Sequence, residues 1–483
     1  MAPLWPRRII PRRPLIGVGV LLIVWLGLAA AFSHDARAGT YRLRTQSRAR
    51  ASQHLRADQR WEASRTWTQA LHLSAFDLLD DASSSLNAHL SLRYFTDAAL
   101  DVSLREDARA FQRFNALTLD RAYLHWRPFD ALEVRAGRHW TASALGVADI
   151  DGITTELQRP SGNLRPFARV WAGRQVHAQL GAFDPGLWDV QGLPLNDPYT
   201  HAPQATLLGA AAGLHDRRDR RLEIAASRSS RARQTTDTWA DTAPPQHEHR
   251  LGVSATTRHF QRLHLSTLLT YHGPARALDR ALLTASLRLG EASSISAGLD
   301  HRLPIFDAAS IFNLFGAAPR QSAFLTLSHP INALHTTLEA RAWARAYHDH
   351  PASPGIPDEL TPGTALASRS RLTFLKRPAL LHTQLSYQSA GPAHTRGAQL
   401  LFDASLTLAA SPGRLWLSAR HLTLYVTPDA ARQNAAFATG SSLGAEVGLG
   451  QAARLSLLAE HRRDSHTPSH LLLMANLTLE LGP

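Results

Sequence analysis

No cysteine occurs among the 483 residues, which excludes disulfide bonds as a source of stability. Beyond residue 38 the sequence has no apolar run long enough for a transmembrane helix, and a helical spacing of apolar residues is scarce. Aromatic residues make up only 7% of the chain, and the apolar residues are mostly small or medium aliphatics. Stability must therefore come from a large aliphatic core or from backbone hydrogen bonds in a closed sheet.

The N-terminus has the layout of a secretory signal peptide. An unbroken apolar stretch at residues 15–32 is followed by Ala36-Arg37-Ala38, which matches the A-x-A pattern read by signal peptidase. We predict cleavage after Ala38, which removes residues 1–38, and export to the outer membrane. The alternative is a retained anchor, since the apolar stretch lies at the lower limit for crossing a bilayer. Four basic residues precede the stretch: Arg7, Arg8, Arg12 and Arg13.

Acidic residues are the minority charge. The chain has 39 Asp and Glu against 52 Lys and Arg, which gives a formal charge of +13. An excess of basic residues is compatible with binding nucleic acid. The sequence has no recognition helix and no basic run, however, so we predict no nucleic-acid partner. The phosphates of lipopolysaccharide and small anionic solutes are the expected partners of a basic exported protein.

Apolar and polar residues alternate along most of the chain. In residues 121–126, Ala122, Leu124 and Trp126 occupy the even-numbered positions, and polar residues occupy the odd-numbered positions between them. A period of two indicates β-strands with one apolar and one wet face. The same pattern flanks short turns in residues 281–302, 398–420 and 443–460. The wet faces supply ten side chains that we predict to face a lumen: Arg121, His125, Glu133, Arg135, Arg288, Asp300, Asp403, Arg420, Glu446 and Glu460.

Short and long links alternate between the strands, so the two kinds lie at opposite ends. Transmembrane barrels show this asymmetry, with short periplasmic turns, long outer loops and segments of about ten alternating residues. The bilayer is the cause, because every backbone hydrogen bond must close within the protein. We predict that residues 66–483 form one antiparallel transmembrane β-barrel of about 20 strands, with roughly 18 to 22 as the range, since such barrels have even strand numbers.

The strands of soluble β-sandwiches, propellers and solenoids also alternate apolar and polar residues, and three observations count against these folds. No fixed repeat of about 20 to 50 residues is visible, as repeat folds require. The apolar faces lack the large aromatic residues that interdigitate in a sandwich. The polar faces carry charged residues at mid-strand, which a wet lumen accepts and a packed core does not.

Two stretches resemble segments of a known class of proteins. AYLHWRPFDALEVRAGRHW (122–140), followed by GVADIDGI (146–153), resembles a hairpin and outer loop found in many porin-like outer-membrane proteins of Gram-negative bacteria. LPIFDAASIFNLFG (303–316) is similar to a segment of little-characterised members of that class. The resemblance implies an integral barrel that forms or lines a pore and is inserted by the barrel-assembly machinery. One departure is the C-terminus, Gly482-Pro483, where these barrels usually end on an aromatic residue.

Two segments stand outside the alternating pattern. Residues 39–65 are rich in arginine and alternate little, which predicts a basic periplasmic extension or a small plug. Within 303–316, an N-cap aspartate, a helix-compatible run and a glycine predict a short helix that either narrows the pore or caps the rim. The candidate residues of this constriction loop are Asp307, Ile311, Phe312 and Phe315.

Catalytic and metal motifs are weak. Ser254, Ser266 and His264 share a predicted lumen wall, but coincidences of this kind are expected in a chain with 25 histidines. His247-Glu248-His249 and His348-Asp349-His350 each offer two histidines in a predicted outer loop, which is fewer ligands than a zinc site needs. We therefore predict no enzyme, no metal site and no cofactor.

Aromatic residues near strand ends predict girdles at the membrane interfaces. Arg138 has the apolar parity of its strand, and we expect a bulge at Gly137 to turn it inward, since a glycine inside a strand often marks a bulge. The predicted girdle residues are Trp126, Phe129, Trp140, Trp171, Tyr271 and Tyr425.

Three functions remain open at this point. The polar lumen faces and the arginine excess favour a passive porin-like channel for small hydrophilic solutes, anions among them. A substrate-specific uptake or export channel working with a partner is the second. The third is a non-transporting barrel, which includes adhesins, structural proteins and barrel hydrolases.

Overall fold

One closed antiparallel sheet accounts for nearly all of the described chain. The structure is a computed structural model that describes residues 40–55, 61–79, 84–97, 115–159, 163–176, 205–216, 220–230, 247–259, 262–290, 292–303, 320–347, 359–374, 376–390, 397–411, 413–428, 435–465 and 469–482. These residues form β1 (Thr40–Leu55), β2 (Trp61–Phe76), β3 (Ser85–Asp97), β4 (Asn115–Phe129), β5 (Leu132–Ser143), β6 (Gly146–Gln158), β7 (Leu164–Gln175), β8 (Thr206–Asp216), β9 (Arg221–Ser230), β10 (His247–His259), β11 (Leu263–His272), β12 (Ala277–Leu289), β13 (Ser293–Arg302), β14 (Arg320–Ile331), β15 (Thr336–Tyr347), β16 (Glu359–Phe374), β17 (Arg377–Gln388), β18 (Gln399–Ser411), β19 (Leu415–Val426), β20 (Ala436–Gly448), β21 (Ala453–Asp464) and β22 (Ser469–Leu481).

Each strand pairs with its neighbours in sequence, and β1 also pairs with β22, which closes the ring. Among the described residues the sheet has 22 strands, at the upper end of the predicted range of roughly 18 to 22. A closed ring satisfies the backbone hydrogen bonds of every strand without leaving an edge. The prediction of a single antiparallel β-barrel is confirmed.

The strand registers give the barrel one apolar face and one charged face. Leu283 of β12 lies beside Leu299 of β13, and the next residue, Thr284, lies beside Gly298 on the opposite face. We call the charged face the inner face, because the apolar face of a membrane barrel contacts lipid. That the inner face lines a conducting pore stays a prediction. All ten residues predicted to face a lumen share it: Arg121, His125, Glu133, Arg135, Arg288, Asp300, Asp403, Arg420, Glu446 and Glu460.

Short and long connections lie at opposite ends of the ring. At one end the links from β4 to β5, from β12 to β13 and from β16 to β17 are short, whereas at the other end long segments separate β3 from β4, β7 from β8 and β9 from β10. This agrees with short periplasmic turns and long outer loops. An exception at the outer end is the tight turn Ala144-Leu145, which joins β5 to β6.

The prediction of a periplasmic extension or plug at residues 39–65 is wrong. Residues 40–55 form β1, which pairs with β2 along its whole length and with β22 along most of it. The strand alternates, but weakly, because residues such as Ser47 and Ala49 occupy the apolar parity in place of leucine. Its arginines fall on the inner face: Arg42, Arg44, Arg48 and Arg50.

The expected inward turn of Arg138 is also wrong. Gly137 has a positive φ of 117°, but the pairing of β5 continues unbroken through Gly137 on both sides. Arg138 therefore stays on the apolar face, where it donates two hydrogen bonds of 2.7 Å to Asp151 of β6. The bulge lies in β4 instead, where the register shifts between Leu119 and Arg121.

Two further predictions change with the structure. Trp171 is not a girdle residue, because it lies on the inner face and is only 4% exposed. His247-Glu248-His249 begins β10 rather than lying in a loop, so the two histidines and the glutamate point to opposite faces. The other five predicted girdle residues are exposed on the apolar face: Trp126, Phe129, Trp140, Tyr271 and Tyr425.

Several predictions fall outside the described residues. They are the signal peptide at residues 1–38, His348-Asp349-His350, and the constriction loop with Asp307, Ile311, Phe312 and Phe315. No helix in the described part of the chain has the length and apolar character needed to cross a membrane.

The closed ring leads to a simple prediction. We expect the folded protein to resist SDS until it is boiled, because a closed sheet has no free edge strand at which the backbone hydrogen bonds could begin to break. Boiled and unboiled samples should migrate differently on an SDS gel, and the protein should fractionate with outer membranes. Identical migration together with recovery in the soluble periplasm would contradict a membrane barrel.

Candidate functional site: the inner face of the barrel

The tight turn between β5 and β6 folds against inner surfaces several strands away. The Ala144 backbone N–H donates a 2.8 Å hydrogen bond to Glu223 Oε1 on β9. Leu145 lies against Gly252 of β10, where an added Cβ would be 2.8 Å from Leu145 Cδ2. The turn therefore crosses β7 and β8. Such a crossing is short only on the concave side of a ring, which supports the assignment of the inner face.

Arg169 of β7 fixes the same hairpin at a second point. Its guanidinium donates to the Ala142 carbonyl oxygen, next to the turn, and pairs with Glu156 of β6 at 2.6 Å. The hairpin end is thus held by a carboxylate that accepts from its N–H and by a guanidinium that donates to its carbonyl. Both groups come from strands outside the hairpin, and charge-assisted hydrogen bonds of this kind are among the stronger ones.

The surface beneath the turn is packed. Gly209 and Gly213 of β8 have no side chain, so the rings of Trp171 and Phe167 lie directly over them, where a Cβ would overlap each ring. These packed side chains therefore fill part of the cross-section of the barrel at this height. The buried apolar residues of this region are Ala144, Ile150, Trp171, Leu207, Ala211 and Ala225.

Glu223 is the charged group at the centre of this packing. It is 1% exposed, and it pairs with Arg221 as well as accepting from Ala144. Burial of a carboxylate is costly unless the group is paired and hydrogen-bonded, and both conditions are met here. Nothing in the sequence distinguishes Glu223 from the other acidic residues at mid-strand.

Each acidic residue predicted on the lumen wall is paired with an arginine. Asp403 accepts hydrogen bonds of 2.9 and 2.7 Å from Arg420. Asp300 pairs with Arg302 at 2.9 Å and is 3.5 Å from Arg320. The other three follow the same pattern: Glu133 with Arg135, Glu446 with Arg454, and Glu460 with Arg462. The negative charges of these five residues are therefore neutralised locally.

The structure brings three of the ten predicted residues into one cluster, joins Asp403 and Arg420 as a pair, and spreads the other five around the ring. His125 Nε2 lies 3.3 Å from Glu133 Oε1, and Arg135 lies 2.5 Å from the same oxygen. On the adjoining strands the rings of His89 and Tyr123 stack with centroids 4.7 Å apart. This part of the wall combines cationic and aromatic groups.

The strand β1 carries a stripe of arginines that sequence reasoning missed as part of the wall. Arg42, Arg44, Arg48 and Arg50 are all exposed on the inner face. Among the described side chains, only Arg42 of these four has an ion pair, with Glu480. The neighbouring inner-face contact on β22 is uncharged, a 2.9 Å hydrogen bond from Gln46 to Asn476. The alternation of arginine with small residues was the signal that could have identified β1.

A second concentration of positive charge lies near the outer ends of β12, β13 and β14. The registers place Arg280 beside Arg302 and Arg302 beside Arg320 on the inner face. Two acids lie near this row: Asp300, in the next row of the same face, and Asp279, which accepts a hydrogen bond from Thr270 beside Arg280. The Nε atoms of Arg280 and Arg320 are buried and have no hydrogen-bond partner within the described structure. Such a row produces a positive potential at the mouth of the barrel.

The residues of the weak catalytic motif, Ser254, Ser266 and His264, lie on the inner face of β10 and β11. In the described residues, no hydrogen bond joins Ser254, Ser266 and His264. Within the same residues, no group of three or more His, Asp or Glu side chains is placed to hold a metal ion.

No protein-family model matches the sequence, and no curated protein matches it in sequence. Solved structures with a similar fold include a BenF-like porin from Pseudomonas fluorescens Pf-5, with 10% identity, 92% of this chain and 99% of that chain covered, and a TM-score of 0.43. Pseudomonas aeruginosa OccK9 (OpdG) has 11% identity, 92% and 98% coverage, and a TM-score of 0.44. Acinetobacter baumannii OccAB4 has 10% identity, 92% and 99% coverage, and a TM-score of 0.42. The closed ring of 22 described strands itself has the architecture of a porin-like outer-membrane β-barrel.

Proposed function

We propose that the protein is an outer-membrane channel through which small hydrophilic solutes diffuse passively, with a preference for anions. The observation that carries the proposal is the charge balance of the inner face. Its predicted acids are each paired with an arginine, whereas the β1 stripe and the row Arg280, Arg302 and Arg320 exceed the acids beside them. Rings of basic side chains favour anions over cations.

The mechanism is electrostatic and steric. Arginines in excess of the acids beside them, as counted in the described part of the wall, raise the local concentration of anions inside the barrel. The turn Ala144-Leu145 narrows the lumen at one height, because it lies across the inner surfaces of β7 and β8. Solutes of suitable size and charge then pass down their concentration gradient, and no group on the wall needs to change covalently.

The test is the conductance of the purified barrel in a planar bilayer with a salt gradient across it. We expect a stable open conductance and a reversal potential displaced toward that of the anion. A strictly cation-selective channel would overturn the anion preference, and a barrel that inserts but never conducts would overturn the channel itself.

Substitution of the stripe arginines is expected to weaken the selectivity. In the double variant Arg48→Ser and Arg50→Ser, the reversal potential should move toward zero, because the inner face loses two positive charges that have no ion pair among the described side chains. Arg288→Ser and Arg420→Ser should act in the same direction. The matched control is Arg228→Ser, which removes an exposed arginine from the apolar face of β9. An equal shift in this control would show that the stripe does not set the selectivity.

A substrate-specific channel is the second candidate, and the packed turn favours it, because a fixed constriction can discriminate between solutes. The two candidates differ in their response to solute concentration. A specific site predicts saturable block of the ion current by one class of solute, whereas a passive pore predicts weak, linear effects from many solutes.

The proposal also includes the route to the membrane and the surroundings there. We propose removal of residues 1–38 on export, insertion by the barrel-assembly machinery, and contact of the outer rim with lipopolysaccharide phosphates. N-terminal sequencing of the mature protein tests the first of these, and a mature chain that begins before residue 39 would contradict it.

A further inference from the structure

The outer end of the β5–β6 hairpin leaves the wall of the barrel. β5 pairs with β4 as far as Arg138, and β6 pairs with β7 as far as Ile150. Among the described strands, the residues between these two positions pair only with each other, apart from one 2.9 Å hydrogen bond from the Val176 N–H to the Asp149 carbonyl oxygen. We call residues 139–150 the inward hairpin.

A row of glycines lies where the inward hairpin leaves the wall. Gly137 is paired with Gly152, and Gly152 with Gly173. A Cβ at Gly152 would overlap the carbonyl oxygen of Ala172, so the backbones approach more closely here than a side chain allows. Because no side chain projects from this row, the sheet can turn inward along it.

One face of the inward hairpin is buried against the inner wall. His139, Thr141 and Ile150 are 1%, 4% and 0% exposed. Ile150 packs in the same cluster as Trp171 of β7 and Leu207 of β8, which are inner-face residues. The register also gives His139, Thr141 and Ile150 the inner face, so two inner surfaces of the same sheet lie against each other.

The opposite face of the inward hairpin is exposed. Trp140 and Val147 are 37% and 71% exposed, and Asp149 lies beside Trp140 in the register. In a strand of the wall, this face would contact lipid. In a hairpin that lies on the inner wall, it turns toward the lumen, because successive side chains of a strand point to opposite faces.

A contact with β4 supports this orientation. The guanidinium carbon of Arg121 lies 6.0 Å from the centroid of the Trp140 ring. Arg121 projects from the inner face of the wall, and an arginine there could not reach a ring on the lipid side. Val147 is the most exposed of the large apolar side chains in the described part of the chain. Exposed apolar surface in a wet site often marks a place of contact with a ligand.

We propose that Trp140, Val147 and Asp149 line the lumen at the height where the inward hairpin narrows it, and that they are specificity-determining residues of the channel. Trp140 and Val147 offer an apolar surface to passing solutes, and Arg121 and Asp149 place one charge of each sign beside it. The role in specificity rests on the proposed channel function, whereas the placement of the hairpin does not.

The absence of cysteine allows the placement to be tested by disulfide formation. In the double variant Leu145→Cys and Gly252→Cys, oxidation with copper phenanthroline should join the tip of the hairpin to the inner face of β10, because Leu145 lies against Gly252. PEG-maleimide added after denaturation counts the thiols that remain, and the boiling-dependent gel shift reports folding. The matched control pairs Leu145→Cys with Leu251→Cys, the next position of β10 on the opposite face. Equal disulfide yields in the two variants overturn the proposal.

A second measurement tests the role in conduction. Reaction of Val147→Cys with the anionic reagent sulfonatoethyl methanethiosulfonate should lower the single-channel conductance and shift the reversal potential toward that of the cation, and dithiothreitol should reverse both changes. Ala275→Cys, exposed in the outer turn between β11 and β12, is the control and should react without either change. A Val147→Cys variant that reacts with no change in conductance overturns the proposal. A wild-type barrel that never conducts contradicts the proposed channel and the role in specificity, while the disulfide yields still decide the placement.

Discussion

Glu223→Ala is expected to lower the free energy of unfolding by about 1 to 3 kcal/mol, which is the usual cost of leaving a buried polar group without its partner. Glu223 is 1% exposed, and its carboxylate accepts the hydrogen bond of the Ala144 N–H at 2.8 Å. Alanine offers no acceptor, so the N–H at the turn stays buried and unpaired. Urea unfolding of the barrel in detergent, followed by tryptophan fluorescence, measures the loss.

Two further variants separate the role of this carboxylate from a general effect of losing charge. Glu223→Gln keeps a side-chain oxygen that can accept from Ala144 and should cost less than Glu223→Ala. Glu446→Ala removes an exposed ion pair with Arg454, which is typically worth only about 0 to 1 kcal/mol. Equal losses for Glu223→Ala and Glu446→Ala would mean that Glu223 does not hold the β5–β6 turn.

The barrel itself could be predicted from the sequence because its main signal is local. Which face a side chain joins depends on residues two positions apart, and in β12 and β13 the predicted parities agree with the register that pairs Leu283 with Leu299. The links between strands add the asymmetry of the two ends. Neither signal requires knowledge of which distant residues meet.

The sequence did not predict β1 as a strand, because the residues on its apolar face are of intermediate polarity. Thr45, Ser47 and Ala49 give little contrast with the arginines between them, so the segment looked like a solvated basic arm. The pairing of β1 with β22 closes the ring, so the barrel needs β1 as its first strand. That pairing joins the two ends of the chain and leaves no local trace in the sequence.

The packing on the inner face was missed for a related reason. Trp171 near a strand end matches the pattern of a girdle residue, and only the presence of Gly209 on the neighbouring strand lets its ring lie against the inner wall. The turn Ala144-Leu145 lacks the Asn-Gly or Asp-Gly signal of most tight hairpins. Its contact with Glu223 joins strands that are far apart in the chain.

The assignment of the two faces leads to the largest expected effect. Leu283→Arg should cost about 2 to 4 kcal/mol, because it places a charge on the lipid-facing side near the membrane midplane. Leu283 lies at the centre of β12 and is 51% exposed between Thr267 and Leu299 on the apolar face. The variant should insert poorly and lose the boiling-dependent gel shift at a lower urea concentration than the wild type.

Thr284, the next residue of β12, provides the control that tests the assignment of the two faces. Thr284→Arg puts the same charge one position along the same strand, on the inner face beside Ser266 and Gly298, where water can hydrate it. We expect this variant to fold with nearly wild-type stability and to increase the anion preference of the channel. Because the side-chain period of a strand is two, a reversed assignment of the faces would exchange the two outcomes. A harmless Leu283→Arg with a destabilising Thr284→Arg would therefore show that the charged face contacts lipid, and the proposed pore would have no polar wall.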